Sequence, residues 1–130
     1  VYFYLTQTKG LDMSTVLAIV GCRHFNDYEL FCKCIELLGV LDDVEYIVSG
    51  GAAGADSLAE RYAREHAIPF KVYPANWAKF GRSAGYRRNK QIIDDADYVV
   101  AFWDYKSPGT KHSITLAREQ KVPGKIFHID

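Results

Sequence analysis

The stretch Val48-Ser49-Gly50-Gly51-Ala52-Ala53-Gly54-Ala55-Asp56 runs from an apolar segment through glycines and small residues into a segment with helical spacing. A parallel α/β sheet needs such a passage between a strand and its crossover helix. Bare backbone at a helix start also suits a phosphate, because glycines allow a tight turn and close approach while the first helical amides and the helix dipole favour an anion. Asp56 is placed to satisfy a helix-end amide or to hold a ribose hydroxyl. A tight turn with a capping aspartate is the plainer reading of the same residues. The spacing is neither GxGxxG nor GxxxxGK[ST], so the usual dinucleotide and P-loop assignments do not apply.

The same alternation continues on both sides. Strand-sized apolar runs lie at 16–20, 46–48, 70–73, 98–102 and 125–128, mostly continuous, as expected of strands covered on both faces. Between them, Asp27 is placed to cap a helix through Leu38, with Leu30, Phe31, Cys34, Leu37 and Leu38 at helical spacing and Gly39 ending it. Further helices are expected at 55–66, 85–95 and 109–120, with Pro69 and Pro123 just beyond two of them. The pattern predicts an α/β fold: a single Rossmann-like domain over residues 14–130, its mainly parallel sheet of about five strands flanked by helices. Residues 1–13 precede that pattern and read as an N-terminal extension or a remnant of expression; an extra strand through Val1, Phe3 and Leu5 is the alternative. Right-handed crossovers then bring every strand-to-helix loop to one edge of the sheet.

At 130 residues the chain is long enough for one core without disulfides or metal. Sixteen basic and sixteen acidic side chains balance, which argues against a protein whose main task is wrapping polyanions and leaves room only for a local basic patch. Cys22, Cys32 and Cys34 lack CxxC spacing, and His24, His66, His112 and His128 form no HExxH, so no metal and no cofactor are expected. No apolar run approaches a membrane span and no signal-peptide pattern is present, so a soluble, cytoplasmic protein without membrane partners is expected. An aromatic content of 14% leaves homo-oligomerisation open.

Two more loops resemble the first. Trp103 to Lys111 follows the fourth strand, with Ser107 and Thr110 offering hydroxyls, Lys106 or Lys111 a charge and Gly109 an open backbone at a helix start. Gly21 to Phe25 follows the first strand and offers Arg23 as a fork-shaped donor for phosphate, with His24 beside it. Each alone is compatible with an ordinary turn; together they converge where parallel sheets bind ligands. A basic stretch, Lys79, Arg82, Arg87, Arg88 and Lys90, contains no acid and is flanked by Trp77, Phe80 and Tyr86. Cations beside aromatics suit a phosphate with a stacked base, or a single strand of nucleic acid; a solvated helix face is the alternative. Asn89 is placed to read a base or sugar, or to cap backbone groups.

Taken together, Gly21-Cys22-Arg23 with Phe25, the Ser49 to Asp56 loop, the run from Pro74 through Trp77, Gly81 and Arg88 to Ile92, and the segment from Ala96 through Gly109 to Ile114 resemble the YspA/YpsA-related branch of the SLOG superfamily. The resemblance implies a Rossmann-like domain binding nucleotides or nucleotide-derived molecules. The superfamily also holds the Lonely Guy phosphoribohydrolases and DNA-processing proteins of the DprA type. Arg88 lies where the phosphoribohydrolases carry a functional arginine. Their last loop reads PGGxGTxxE, whereas here a glycine is missing and Ser113 stands at the position of the catalytic glutamate.

The leading expectation is therefore a nucleotide-ligand sensor or sequestering domain. Its candidate binding residues are Gly21, Arg23, Gly50, Gly51, Gly54, Asp56, Trp77, Arg87, Arg88, Asn89, Ser107, Gly109 and Thr110. The first alternative is a phosphoribohydrolase or N-glycosidase using Arg88 and Asp56 as catalytic residues; Asp104 is another carboxylate for that role. The second is single-stranded nucleic-acid binding through Trp77 and the basic stretch.

Overall fold

The computed structural model describes residues 2–4, 15–39 and 43–130, and side chains in the latter two segments. Val1 and Leu5, which enter the reading of the N-terminal segment, lie outside the described residues. Strands β1 (Tyr2–Tyr4), β2 (Thr15–Gly21), β3 (Val44–Ser49), β4 (Phe70–Val72), β5 (Tyr98–Trp103) and β6 (Gly124–His128) form, among the described residues, a six-stranded sheet of order β1-β6-β5-β2-β3-β4. From β2 onward the neighbours pair parallel, and β1 is added antiparallel at the β6 edge. The expected α/β Rossmann-like fold is the one observed, and a short strand also forms over Tyr2–Tyr4.

The helices are α1 (Tyr28–Leu38), α2 (Ala55–Glu65), α3 (Trp77–Phe80), α4 (Ala84–Asp95) and α5 (Pro108–Glu119). Asp27 caps α1 by accepting from the Leu30 amide at 3.0 Å, and Gly39 ends it at φ 63°, a left-handed turn that suits glycine. The stripe expected on α1 is shifted. Phe31, Cys34 and Ile35 are buried, whereas Leu30 is 40% and Leu37 80% exposed, because α2 and the sheet meet the helix on the Phe31 side. The short α3 and the 3-10 turn Gly81–Ser83 are too brief for a period to reveal them.

Alternation along the strands builds two cores. Leu17, Ile19, Ile47, Val100 and Phe102 point to the side of α1 and α2, where Phe31, Ile35, Ala59 and Tyr62 meet them. Ala18, Val20, Val48, Val99 and Ala101 point to the other, against Ile92 and Ile93 of α4 and Ile114 and Ala117 of α5. Phe31 and Phe102 stack at 5.0 Å between ring centroids, anchoring α1 to the central strands. Among the described residues, no helix is long and apolar enough to cross a membrane.

Candidate functional site

The chain runs from β2 through β3 to β4 on one side of the sheet, then crosses to β5 and β6 on the other, so the winding reverses between β2 and β5. Loops leaving those two strands diverge to opposite faces, and a crevice opens outside their carboxyl ends. It measures about 410 Å³ and is lined by Gly21, Cys22, Arg23 and His24 after β2; Gly50, Ala52 and Asp56 after β3; Arg88, Asn89 and Ile92 of α4; and Ser107, Pro108, Gly109, Thr110 and Ser113 after β5. A second cavity of about 350 Å³ adjoins it, walled by Gly51, Ala53, Pro74, Ala75 and Trp77. Arg23, Gly50, Ala52 and Arg88 belong to both.

Of the residues selected from sequence, Gly21, Arg23, Gly50, Asp56, Arg88, Asn89, Ser107, Gly109 and Thr110 line the first cavity, and Gly51 and Trp77 the second. Gly54 and Arg87 line neither. A Cβ on Gly54 would overlap the Cys22 carbonyl, and the neighbouring Ala55 amide donates to that oxygen at 3.2 Å, so this glycine locks the first two loops together. Arg87 points to solvent, its Nε donating to Ser83 Oγ at 3.0 Å and its guanidinium lying 4.3 Å from the Phe80 ring centroid. The basic stretch thus divides: Arg88 turns inward, and Lys90 pairs with Asp94 at 2.8 Å. Sequence reasoning passed over Ile92, one helical turn beyond Arg88, and Ala52.

Arg88 is the centre of the site. Its Nη1 donates to the Gly50 carbonyl at 2.8 Å and its Nε to Asn89 Oδ1 at 3.1 Å. A Cβ on Gly50 would lie 2.8 Å from the Arg88 Cζ, so a larger residue there would displace the guanidinium from this position. Burial lowers the Arg88 pKa, the nearby Asp56 charge resists that shift, and Arg23 adds to it. Asp56 is buried, its Oδ2 accepting from the Ala52 amide at 3.0 Å. Burial raises its pKa against the opposing effects of the Ala52 amide, the Ser49 hydroxyl, the Arg88 charge and the Gly50 amide. The Ser49 hydroxyl is fully enclosed beside this carboxylate without a hydrogen bond of good geometry. The result is a desolvated cation at the cavity wall, where an incoming anion would replace little water.

Asn89 is buried, and its amide donates to the Gly109 carbonyl at 3.3 Å and lies 3.3 Å from His112 Nδ1. It ties α4 to α5 and steers Arg88. Burial lowers the His112 pKa, and Tyr86 covers that ring at 4.3 Å. Beyond, α5 opens on Pro108, with Lys111 N to Ser107 O at 3.2 Å as an early backbone bond, so the amides of Gly109 and Thr110 stand in the first turn of a helix whose start lines the crevice. Ser113 Oγ donates back to the Gly109 carbonyl at 3.4 Å.

Tertiary structure also makes a pairing that chain spacing hides. Ligand atoms of Cys22, His24 and Asp104 all lie within 4.8 Å of one another. The Asp104 Oδ1 accepts from the amides of Lys106 at 2.8 Å and Ser107 at 2.7 Å. The Ser107 amide first, then the Lys106 amide, the Ser107 hydroxyl and His24, hold its pKa down at about 2 against some desolvation. Burial pushes the Cys22 thiol up.

Known proteins align with this architecture. DNA processing protein A from Helicobacter pylori, described for its single-stranded DNA binding mode, superposes with a TM-score of 0.64 at 23% identity, covering 92% of this chain and 68% of that one. The Gene 61 protein of Mycobacterium phage D29 is 36% identical over 83 residues, which span 59% of this chain and 66% of the phage protein. The family model described as YspA, cpYpsA-related SLOG matches residues 15–80, which hold β2 through α3 and the first two loops of the crevice. With more than half of its length matched by that model, and with the Rossmann-like sheet on which its loops meet, this chain belongs to the YspA, cpYpsA-related SLOG family.

Proposed function

We propose that the crevice binds the phosphate of a nucleotide or nucleotide-derived molecule, with the base directed over Gly51 toward Trp77, and that the domain serves to sense or sequester that ligand. The carrying observation is Arg88, a half-buried guanidinium fixed by Gly50 and Asn89 and shared by both cavities. Arg23 and the first-turn amides of α5 complete an anion-binding wall, and both cavities fall in the size range of small-molecule sites. Calorimetric titration with nucleoside monophosphates, ADP-ribose and cyclic nucleotides tests this. Binding strongly weakened in Arg88→Met and also weakened in Trp77→Ala is expected, whereas affinity indifferent to Arg88 would remove the crevice from the reading.

Single-stranded nucleic acid is the second reading, and the likeness to a DNA-processing protein favours it. On this chain its support is Trp77, 54% exposed, and Tyr86, 50% exposed, near exposed Lys79, Arg82 and Arg87. Stacking on such aromatics tolerates any base, and phosphate contacts give affinity that falls steeply with salt. Fluorescence anisotropy with a labelled oligonucleotide over a salt series separates the readings. The phosphoribohydrolase alternative depends on Asp56, which lies in the crevice but is turned onto the Ala52 amide. Release of free base from any nucleotide in the panel would revive it.

A further inference from the structure

We infer that Cys22, His24 and Asp104 form a binding site for a divalent transition-metal ion of zinc type, with one coordination position open to the crevice. The argument begins with register. Gly21 pairs with Phe102 across β2 and β5, so the residues that leave these strands, Cys22 and His24 on one side and Asp104 on the other, emerge together where the winding reverses. Their donor atoms lie within 4.8 Å of one another, and His24 Nδ1 stands 4.0 Å from Asp104 Oδ2. Donors on a tetrahedral zinc ion are roughly 3.5 Å apart, given bond lengths of about 2.0–2.3 Å. Closing the remaining distance takes small side-chain rotations, for which the His24 ring, more than half exposed, has room.

The groups around these donors are already arranged as metal ligands require. His24 Nε2 lies 3.3 Å from the Asp130 carbonyl, so with the proton on Nε2 the Nδ1 lone pair is left facing Asp104. A metal-bound imidazole characteristically donates its other N–H to a carbonyl in this way. Two backbone amides hold Asp104 Oδ1, and Ser107 Oγ donates to Oδ2 at 3.1 Å, leaving that oxygen turned toward His24. Cys22 differs: its thiol donates to the Phe102 carbonyl at 3.3 Å, a bond that metal entry must break by turning the sulfur toward His24 and Asp104. On metal entry the thiol proton passes to solvent and the sulfur binds as thiolate. Sulfur, imidazole nitrogen and a single carboxylate select zinc, cobalt or iron(II) over magnesium or calcium, which prefer all-oxygen sites. Three protein ligands leave a fourth position, and Cys22 and His24 both line the crevice, so water or an anionic oxygen of a bound molecule fills it.

The test uses the full chain, stripped with chelator and titrated with Co²⁺ in the absence of any nucleotide, so that its outcome is independent of the ligand reading above. Expected are a thiolate-to-cobalt charge-transfer band in the near ultraviolet, visible bands of tetrahedral intensity, a stoichiometry of one, and displacement by Zn²⁺. Cys22→Ser should abolish the charge-transfer band, and His24→Ala, at an exposed side chain with little structural burden, should weaken cobalt binding by about 100-fold or more, since even outer-shell partners carry 10- to 100-fold. Cys32→Ser, on α1 away from the crevice, should leave the spectrum unchanged. Absence of the band in the wild-type chain, its survival in Cys22→Ser, or its loss in Cys32→Ser would overturn the assignment. In that case Cys22 is a core thiol, and His24 and Asp104 are a solvent-screened pair of little energetic weight.

Discussion

Arg88 and Asp56 show at the residue scale how a half-buried cation and a buried carboxylate near it are held ready for a ligand. Removing the guanidinium in Arg88→Met takes away a charge-assisted donor worth about 1.5–3 kcal/mol, so phosphate affinity should fall roughly 10- to 100-fold by calorimetry. Arg88→Lys should restore only part of it, because a lysine has no planar fork to span Gly50 and Asn89 at once. Asp56 has a pH signature of its own. Burial raises its folded-state pKa above the unfolded value near 3.9, so ionisation opposes folding. The stability of wild type relative to Asp56→Asn should therefore be greatest below that value and decline as pH rises through the folded pKa, in urea melts at a series of pH values. A difference that grows with pH would contradict this.

Among the elements, α4 carries the arginine, and Asp95 at its end fixes where α4 sits. Asp95 accepts from Tyr46 Oη at 2.7 Å and Tyr73 Oη at 2.9 Å, with Lys71 Nζ at 3.4 Å, joining the helix to β3, β4 and the residue after it. Asp95→Asn should cost about 2 kcal/mol, within the range for hydrogen bonds to a charged group, and should reduce ligand affinity by letting α4 shift. The bond to Asp95 first, then burial, pushes the Tyr46 pKa up to about 12. Stability held through the Tyr46 hydroxyl is present below the ordinary tyrosine value near 10 and lost as pH rises toward 12, so the wild-type advantage over Tyr46→Phe should vanish over that interval. At the other end of the sheet, Asp27→Ala should lower stability by about 1 kcal/mol in urea unfolding through loss of the α1 cap. Capping and stop signals were readable in the chain because they are local; the exposed face of α1 was misassigned because leucines recur around both sides of that helix.

For the whole molecule, the crevice exists because β2 lies centrally and the winding reverses beside it. A ligand present at about 100 times its dissociation constant adds roughly 2.7 kcal/mol, which should raise the melting temperature of a domain this size by on the order of 10 °C. A nucleotide panel read by thermal shift should show this rise for the cognate compound, and Arg88→Met should suppress it. Uniform silence across the panel, with strong salt-sensitive oligonucleotide binding, would transfer the function to single strands.

The strands, the four longer helices, the two-faced core and the convergence of glycine-bearing loops were determined by the sequence itself, since apolar runs, caps and prolines act over a few residues and the crossover rule permits few windings. Contacts between distant segments were decided only in three dimensions. Gly50 and Gly54 look alike in the sequence, but one admits the Arg88 side chain and the other the Cys22 backbone. Neighbouring arginines on α4 part company because one helical step turns Arg88 into the crevice and Arg87 to solvent. Cys22, His24 and Asp104 gather because β2 and β5, far apart in the chain, pair in a register that brings Gly21 opposite Phe102, and that register is set by packing on both faces of the sheet.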